Sequence, residues 1–398
     1  MTSSPAAAVD SRAGWPVVAG THVVTGVTFG SSYAFSALFP GLAAEFGASR
    51  GATALVFSLS AFVFYSLGAV AGPLGDRLPT RVLVLSGLVA MVLGYVGAAN
   101  AHSLAAVYLF YAAGAGLGIG LSYVPALGAV QSWFARRRAQ ASGIALAGLG
   151  VGTLVLPMLT ARLMPELGWR GGLMMLAGAV ALFGVPAATL LHRRTHLPDP
   201  NTPALAAPGA RDLWRDARFR RFYLSLVLAS FCSFIAYVHI VPASQDLGLP
   251  LETGTLLVGL IGAGSVAGRF VLTGLGDRLG ALRLLVLLTF AVAACFLIWA
   301  MATSFAALAV FAVLFGVSYG GCVGLYPVVA SEVFGARHIG AVLGHLYTAV
   351  GISALVGPTL AGLVFDRTGS YLAPILVSAA CAGVAAVLAM GLADRAEA

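Results

Sequence analysis

The stretch Thr273–Arg283, TGLGDRLGALR, ends a long apolar run with the pair Asp277-Arg278 and a further arginine, Arg283. A related stretch, Gly72–Arg81 (GPLGDRLPTR), stands 201 residues earlier and carries Asp76-Arg77 and then Arg81. The correspondence continues along the chain at an offset of 200 to 201: Phe134 with Phe334, Arg137 with Arg337, Ala141 with Ala341, and Pro157 with Pro358. The chain is therefore an internal repeat of two similar halves.

Composition places both halves in a membrane. Of the 398 residues, 60% are hydrophobic and 9% are charged, and the mean hydropathy is +0.96. A soluble chain of this length needs far more polar residues to cover its surface. The 50 glycines suit membrane helices, which pack closely through small residues. The four cysteines lie in apolar runs without metal-ligand spacing, so we predict neither a disulfide framework nor a metal site.

Apolar runs of about 20 residues, the length that crosses a bilayer as a helix, occur twelve times. We predict spans at 15–40, 52–74, 80–99, 103–131, 139–160, 169–191, 222–245, 253–276, 280–302, 304–331, 339–364 and 370–392.

The distribution of charge predicts the orientation. All 22 basic residues are arginine, and they cluster between the spans without forming a continuous basic face, which argues against nucleic acid as a partner. Loops on the side of the N-terminus hold 17 arginines, and loops on the other side hold four. The positive-inside rule then predicts both termini in the cytoplasm, with the chain in the cytoplasmic (plasma) membrane. The first residues lack the apolar core of a signal peptide.

One long polar connection, residues 192–221, divides the chain into a first bundle at 1–191 and a second at 222–398. Its basic, tryptophan-containing end is expected to lie on the anionic inner leaflet. The predicted fold is an all-α membrane protein of twelve transmembrane helices, in two six-helix bundles related by pseudo-twofold symmetry. Secondary transporters are commonly built from such repeats.

The two Asp-Arg loops resemble the loop signature of the major facilitator superfamily, although Pro79-Thr80 departs from it in the first copy. We predict a cytoplasmic gate in which the acids accept hydrogen bonds when the inner side is closed. Its members are Asp76, Arg77, Arg81, Asp277, Arg278 and Arg283. The alternative is a pair of positive-inside anchors with incidental acids.

A second resemblance narrows the family. Trp133–Gly150 (WFARRRAQASGIALAGLG) is similar to the signature between the fourth and fifth spans of the monocarboxylate transporters. Gly30–Arg50 is similar to the corresponding stretch of monocarboxylate and oxalate–formate carriers. The resemblance implies a carrier of small carboxylates that works by alternating access.

Arg269 is the one charged residue deep inside a predicted span, about 7 Å from the midpoint of the eighth, whereas Arg81, Arg170 and Arg283 stand at the first residues of theirs. An arginine at the centre of a span costs about 2.5–3.5 kcal/mol on insertion scales. Because no acid lies within any predicted span, we predict an anionic ligand, which a guanidinium binds with two parallel hydrogen bonds. The alternative is snorkelling towards the headgroups. The resemblance also implies a substrate-binding arginine at this place.

Polar aromatic residues at matching depth complete the predicted substrate site. Tyr123 and Tyr326 precede prolines in the fourth and tenth spans, and Tyr319 lies two turns before Tyr326 on the same face. Tyr33 matches a residue type that oxalate–formate carriers use at their site. For each tyrosine, a packing role is the alternative.

The chain departs from its relatives at two positions. Animal monocarboxylate transporters have an aspartate tied to proton coupling where this chain has Ser265, and the oxalate exchangers have a lysine where it has Val350. A single site cation favours a monocarboxylate. His22, His239 and His345 are the candidates for proton coupling because histidine titrates near neutrality; the proton could equally travel with the substrate, or be absent from an anion exchange.

The sequence thus predicts a secondary transporter of a small monocarboxylate such as lactate, pyruvate or a short-chain acid, coupled to protons. The alternatives are an organic-anion exchanger of the oxalate/formate type, an exporter of a bulkier acid, or a non-transporting sensor, which the short C-terminal tail disfavours. No nucleophile–base or metal-spaced constellation occurs, so we predict no enzyme, no catalytic residue and no cofactor. The expected partners are the carboxylate, protons and the lipid bilayer, with the carrier acting as a monomer.

Overall fold

The computed structural model of the chain describes residues 10–134, 137–193, 210–335 and 339–392, and every regular element in those ranges is helical. After a short 3-10 turn at Arg12–Gly14, the helices are α1 (Trp15–Tyr33), α2 (Phe35–Phe46), α3 (Arg50–Arg77), α4 (Thr80–Ala99), α5 (Leu104–Trp133), α6 (Arg138–Ala179), α7 (Val185–Thr189), α8 (Ala210–Arg215), α9 (Ala217–Asp246), α10 (Leu251–Leu279), α11 (Ala281–Ala300), α12 (Phe305–Phe334), α13 (Ile339–Thr368) and α14 (Leu372–Met390).

Ten helical segments among the described residues are long and apolar enough to cross a membrane. One of them, Gln140–Thr189, is 50 residues long, far more than the roughly 20 that one crossing needs. Gly168 breaks it with a φ of +63°, so this segment holds the two crossings predicted at 139–160 and 169–191. The first predicted span, 15–40, is not among these ten; it covers α1 and the beginning of α2, which are separated only by Ala34, a residue with helical backbone angles (φ -63°, ψ -12°). Counted in this way, the helices correspond to the twelve predicted crossings.

Most predicted boundaries fall inside longer helices. The span predicted at 222–245, for example, lies within Ala217–Asp246, because the polar ends of membrane helices continue beyond the apolar stretch. Of the predicted linker, residues 194–209 lie outside the described residues, so the division into two bundles stays a prediction. We call helices α1–α7 the first half and α9–α14 the second half.

Close backbone contacts pack the helices within each half. In the first half, a Cβ on Gly152 would lie 1.9 Å from the carbonyl oxygen of Gly26, so α1 and α6 touch through glycine. In the second half, a Cβ on Gly268 would lie 2.0 Å from the carbonyl oxygen of Val317, which brings α10 against α12. Small residues allow this approach, which supplies packing energy in the absence of a hydrophobic drive between membrane helices.

Two pairs of helices make most of the contact between the halves, α3 with α13 and α6 with α10, and α2 adds smaller contacts with α9 and α10. We call the end of the bundle where α1 begins and α14 ends the terminal face, and the opposite end, where α3 begins and α9 ends, the far face. Large apolar side chains such as Leu93, Leu109, Leu182 and Val271 are exposed around the bundle, as on a surface that contacts lipid.

Candidate functional site

A cavity lies between the two halves. Its wall comes from α1, α3, α5 and α6 of the first half and from α9, α10, α12 and α13 of the second. Seven of the lining side chains are tyrosines: Tyr33, Tyr65, Tyr123, Tyr237, Tyr319, Tyr326 and Tyr347. The remaining wall is apolar apart from Ser230, some glycine and one cation.

That cation is Arg269 of α10, and its side chain is half-buried. Its Nε atom is buried without a hydrogen-bond partner, and none of the described carboxylates forms an ion pair with its guanidinium. A buried charge without a partner is costly, and an anion that enters the cavity would offset that cost. The arrangement is suited to binding a carboxylate.

The packing of α10 against α12 fixes the position of Arg269. Gly264 and Gly268 precede it, and both lie against the backbone of α12 around Val317. One turn before Arg269, Ser265 is 2% exposed and touches the backbone at Gly320. Gly264 and Gly268 hold one face of α10 to α12, and Arg269, about 100° further round the helix than Gly268, lines the space between the halves.

The structure brings all four sequence-predicted tyrosines into the same cavity as Arg269. Tyr33 stacks on Tyr237 of the opposite half, with ring centroids 4.4 Å apart and an interplanar angle of 28°. Tyr123 contacts Phe29 edge to face at 5.3 Å. Tyr319 and Tyr326 share a face of α12, as their spacing predicted, and both line the cavity.

Sequence reasoning missed three of the lining tyrosines, Tyr65, Tyr237 and Tyr347. The rings of Tyr65 and Tyr347 face each other across the halves, with centroids 6.4 Å apart. All three lie near the middle of their predicted spans, whereas tyrosines that anchor a helix in the headgroup region lie near its ends. Depth within the span was therefore a signal that could have identified them.

A second, larger cavity lies towards the terminal face, between α6, α10 and α12. Arg269 lines it as well, so this side chain stands at the boundary between the two cavities. Gln140 and Glu332 are among the polar residues in its wall. An anion held by Arg269 would consequently have space on both sides of the guanidinium.

The histidines proposed for proton coupling line neither of these two cavities. His22 lies against α6, with Nδ1 2.7 Å from the carbonyl oxygen of Ile144. His239 is fully buried near the far face, where Nδ1 lies 2.9 Å from the hydroxyl of Tyr371. His345 of α13 is half-buried and has partners of its own. None of the three touches Arg269 among the described contacts.

The predicted cytoplasmic gate lies at the terminal face. The side chains of Asp76, Arg77 and Asp277 are outside those that the structure describes. Arg81, Arg278 and Arg283 are exposed, and no ion pair joins them to a described carboxylate. The gate therefore stays a prediction.

One further position and the arrangement of possible metal ligands bear on what the site can bind. Val350, which stands where oxalate exchangers have a lysine, lines the central cavity and leaves Arg269 as the cation among its described residues. Within the described ranges, no group of three or more His, Cys, Asp or Glu side chains is placed to hold a metal ion.

The chain matches the family model of the Major Facilitator Superfamily over residues 21–358 and 275–398. It is 33% identical to monocarboxylate transporter 11 of Mus musculus, over 98% of this chain and 90% of the relative. It is 31% identical to monocarboxylate transporter 11 of Homo sapiens, over 95% of this chain and 82% of the relative. Monocarboxylate transporter 4 of Rattus norvegicus is 28% identical, over 92% and 79% of the two chains.

The fold is similar to that of a bacterial homologue of the human lysosomal transporter Spinster. Its crystal structure in an inward-facing, occupied conformation aligns with a TM-score of 0.75, over 94% of this chain and 96% of that one. The inward-facing, unoccupied structure aligns with a TM-score of 0.69, over 96% of both chains. At 14% sequence identity, this likeness concerns the fold.

Proposed function

Because the chain belongs to the major facilitator superfamily and to its monocarboxylate transporter group, we propose that it carries a small monocarboxylate, such as lactate, pyruvate or a short-chain acid, by alternating access. Membership makes the chain an integral membrane transporter and confirms the prediction that it is not an enzyme. The identity of the acid, the driving ion and the residues that bind the acid are the proposed part.

The observation that carries the proposal is Arg269, a cation without a described anionic partner inside a cavity of tyrosines. Its guanidinium would bind the carboxylate through two N–H groups. Hydroxyls of Tyr33, Tyr123, Tyr319 and Tyr326 would donate to the same oxygens, and the aromatic rings would pack against the carbon chain. Because Val350 supplies no second positive charge, the single charge of Arg269 balances a substrate with one negative charge.

Transport requires that the two halves rock about a site between them. The central cavity has walls from both halves, so a bound acid would contact each of them. Arg269 also lines the larger cavity towards the terminal face, which offers the acid a route from the site to that side. By the positive-inside rule, we infer that the terminal face is cytoplasmic. We also propose that the carrier acts as a monomer in the plasma membrane.

We further propose that a proton moves with the acid. Ser265 cannot hold the proton that an aspartate would hold there, and the three candidate histidines lie away from the two cavities. The proton would then be carried together with the substrate, so that one acid anion and one proton enter in the same step. Uptake into proteoliposomes with and without an inward proton gradient tests this step: exchange that ignores the gradient would favour an anion exchanger.

One observation favours a second candidate, an exporter of a bulkier organic acid. The larger cavity adjoins Arg269 and is mostly apolar, so a long carbon skeleton could extend into it from a carboxylate on the guanidinium. An exchanger of the oxalate/formate type finds less support, since Val350 supplies no second charge. A substrate series of increasing chain length distinguishes these candidates from a short-chain carrier.

The test of the proposed function is binding of mono- and dicarboxylates to the purified carrier, measured as a shift of its thermal midpoint. A ligand that binds the native state must raise that midpoint by mass action. We expect lactate or a related monocarboxylate to stabilise the native protein, Arg269→Lys to respond weakly, and Arg269→Gln to show no shift. Arg170→Gln, at a surface ion pair far from the cavity, is the control. An equal response of Arg269→Gln would contradict the proposal.

A further inference from the structure

The beginning of α3 at the far face makes a set of contacts that the predicted site does not use. Arg50, the first residue of α3 in the first half, donates through Nη1 and Nη2 to the two carboxylate oxygens of Asp246 in α9, at 2.7 and 2.5 Å. Its Nη1 also donates to the hydroxyl of Tyr371 at 3.0 Å. The guanidinium lies 3.8 Å from the ring centre of Phe365 in α13. One arginine of the first half thus contacts three segments of the second.

The backbone of α3 is held in the same place. Asp366 of α13 accepts from the N–H of Arg50 at 2.8 Å and from the N–H of Gly51 at 3.0 Å. The first N–H groups of a helix have no partner within the helix, and they carry its positive partial charge. A carboxylate of one half therefore caps a helix of the other half, which links the two electrostatically.

Buried hydrogen bonds of His239 position the phenol of Tyr371, which Arg50 contacts. The Nε2 of His239 lies 2.7 Å from the carbonyl oxygen of Pro358, which can only accept, so this nitrogen carries the hydrogen. In neutral imidazole, Nδ1 is then the acceptor for the hydroxyl of Tyr371 at 2.9 Å. The phenol oxygen in turn accepts from Arg50. His239 and Tyr371 consequently fix the position at which the arginine docks.

The helices themselves are in direct contact at this level. A Cβ on Gly362 of α13 would lie 2.5 Å from the backbone nitrogen of Gly51, so no larger residue fits between α3 and α13. Below this rim, Tyr33 and Tyr237 stack across the halves over the cavity. Towards the terminal face α3 is not packed against a neighbour at Gly68, where an added Cβ would meet nothing within 4 Å.

We propose that Arg50, Asp246 and Asp366 form a far-face latch, which keeps this side of the carrier closed and must open once in each transport cycle. The latch rests on the proposed alternating access, since only a carrier whose halves rock needs to break these contacts. Tyr371 and His239 act as positioning residues, which hold the arginine without touching the transported acid. Opening would separate Arg50 from three side chains and uncap α3 in one movement.

The chain supplies a matched control for this proposal. Arg170 pairs with Glu45 at 2.5 Å and lies 4.4 Å from the ring centre of Trp169, an arrangement similar to that of Arg50 with Asp246 and Phe365. Arg170, Trp169 and Glu45, however, all belong to the first half. Loss of this pair should weaken the first half without altering the distance between the halves.

The experiment is a spin-label distance measurement across the far face in lipid nanodiscs, without added substrate. Labels are attached at Ala44→Cys in the first half and Met301→Cys in the second, both at exposed positions outside the latch. Cys381→Ser removes the half-buried native thiol, and the other three cysteines are buried. We expect Arg50→Gln and Asp246→Asn each to raise the ratio of long to short distances about 5- to 30-fold. Arg170→Gln should leave the native distribution.

An unchanged distribution in Arg50→Gln and Asp246→Asn would overturn the latch, and so would an equal change in Arg170→Gln. Size-exclusion profiles identify any variant that fails to fold, and Asp246→Asn provides a second reading if Arg50→Gln does. Because the measurement uses no substrate, it separates the two proposals. A distance change with no carboxylate binding at Arg269 would support the latch and contradict the proposed substrate.

Discussion

Two arginines of this carrier meet opposite conditions. Arg50 at the far face has two aspartates and a tyrosine hydroxyl within hydrogen-bond distance, whereas Arg269 in the central cavity has no described anionic partner. Both stand where halves of the protein meet, so location alone does not separate them. The difference is whether the protein itself supplies the negative charge. Where it does, the arginine joins helices; where it does not, the arginine is available to a ligand.

The contrast between the two arginines should disappear if Arg269 is given a carboxylate partner within the protein. Ser265 stands one turn before Arg269 on α10, and residues four apart on a helix are neighbours. We expect Ser265→Asp to pair with Arg269 and to weaken carboxylate binding about 10- to 100-fold at neutral pH, since charged hydrogen bonds contribute about 1.5–3 kcal/mol. Calorimetric titration with the acid that stabilises the native carrier measures the loss.

Ser265→Asn, of similar size and without charge, is the control for that substitution. Binding by the aspartate variant should recover at acidic pH, where the new carboxylate is protonated and releases the guanidinium. Equal losses in the asparagine and aspartate variants would attribute the effect to crowding at Gly320 and not to charge.

The comparison also depends on the packing that positions Arg269. In Gly268→Ala the new methyl group would lie 2.0 Å from the carbonyl oxygen of Val317, which forces α10 away from α12. We expect a destabilisation of about 1–3 kcal/mol, typical of overpacking, with weaker carboxylate binding. Thermal midpoints of the native and variant proteins measure it. Gly274→Ala, on the same helix with nothing within 4 Å, should be close to native, and a similar loss there would refute the packing explanation.

A second cation in the central cavity tests how the positive charge of the site selects the ligand. Val350 lines the cavity that holds Arg269, so Val350→Lys would offer two positive charges to one ligand. We expect the preference for a dicarboxylate over a monocarboxylate to rise about tenfold, the effect of roughly 1.4 kcal/mol. Competition between oxalate and lactate measures this ratio, with Val350→Met as the uncharged control. An unchanged ratio would indicate that the bound acid does not reach this wall.

The smallest expected effect concerns the ion pair within the first half. Hydrogen bonds from Trp169 and Arg170 hold the pKa of the Glu45 carboxylate below its usual range. A lowered pKa in the folded state contributes stability above the unfolded value of about 4.3, and this is lost as the pH falls through the folded pKa. Glu45→Gln should therefore lower the thermal midpoint slightly at pH 7 and leave it unchanged at strongly acidic pH. A pH-independent difference would point to lost packing.

Much of the fold could be predicted because membrane crossings are local features. A run of about 20 apolar residues must form a helix in lipid, where backbone groups have no other partner. Two details did not show in the pattern: the interruption between α1 and α2 at Ala34, and the continuous helical segment Gln140–Thr189, whose two crossings are divided at Gly168. Neither feature changes hydropathy, so the pattern could not reveal it.

The candidate site was predictable in part. Arg269 could be identified because a charge inside an apolar span has a cost that is visible in the sequence alone. Depth within the span singles out Tyr65, Tyr237 and Tyr347 as candidates, but the sequence does not tell which way their rings face, since the rotation of each helix about its axis depends on its neighbours. The far-face contacts of Arg50 were hidden for the same reason, because Asp246 and Asp366 are distant in the chain.

The sequence by itself determined the membrane class, the twelve crossings, the internal repeat and the one arginine deep inside a span, because hydropathy, length and charge act on each segment separately. The tertiary structure alone decided which side chains meet: seven tyrosines around Arg269, and two aspartates around Arg50. The physical reason is that helix packing sets the rotation and approach of each segment through close contacts such as Gly268 with Val317. Those contacts join residues that the order of the chain keeps apart.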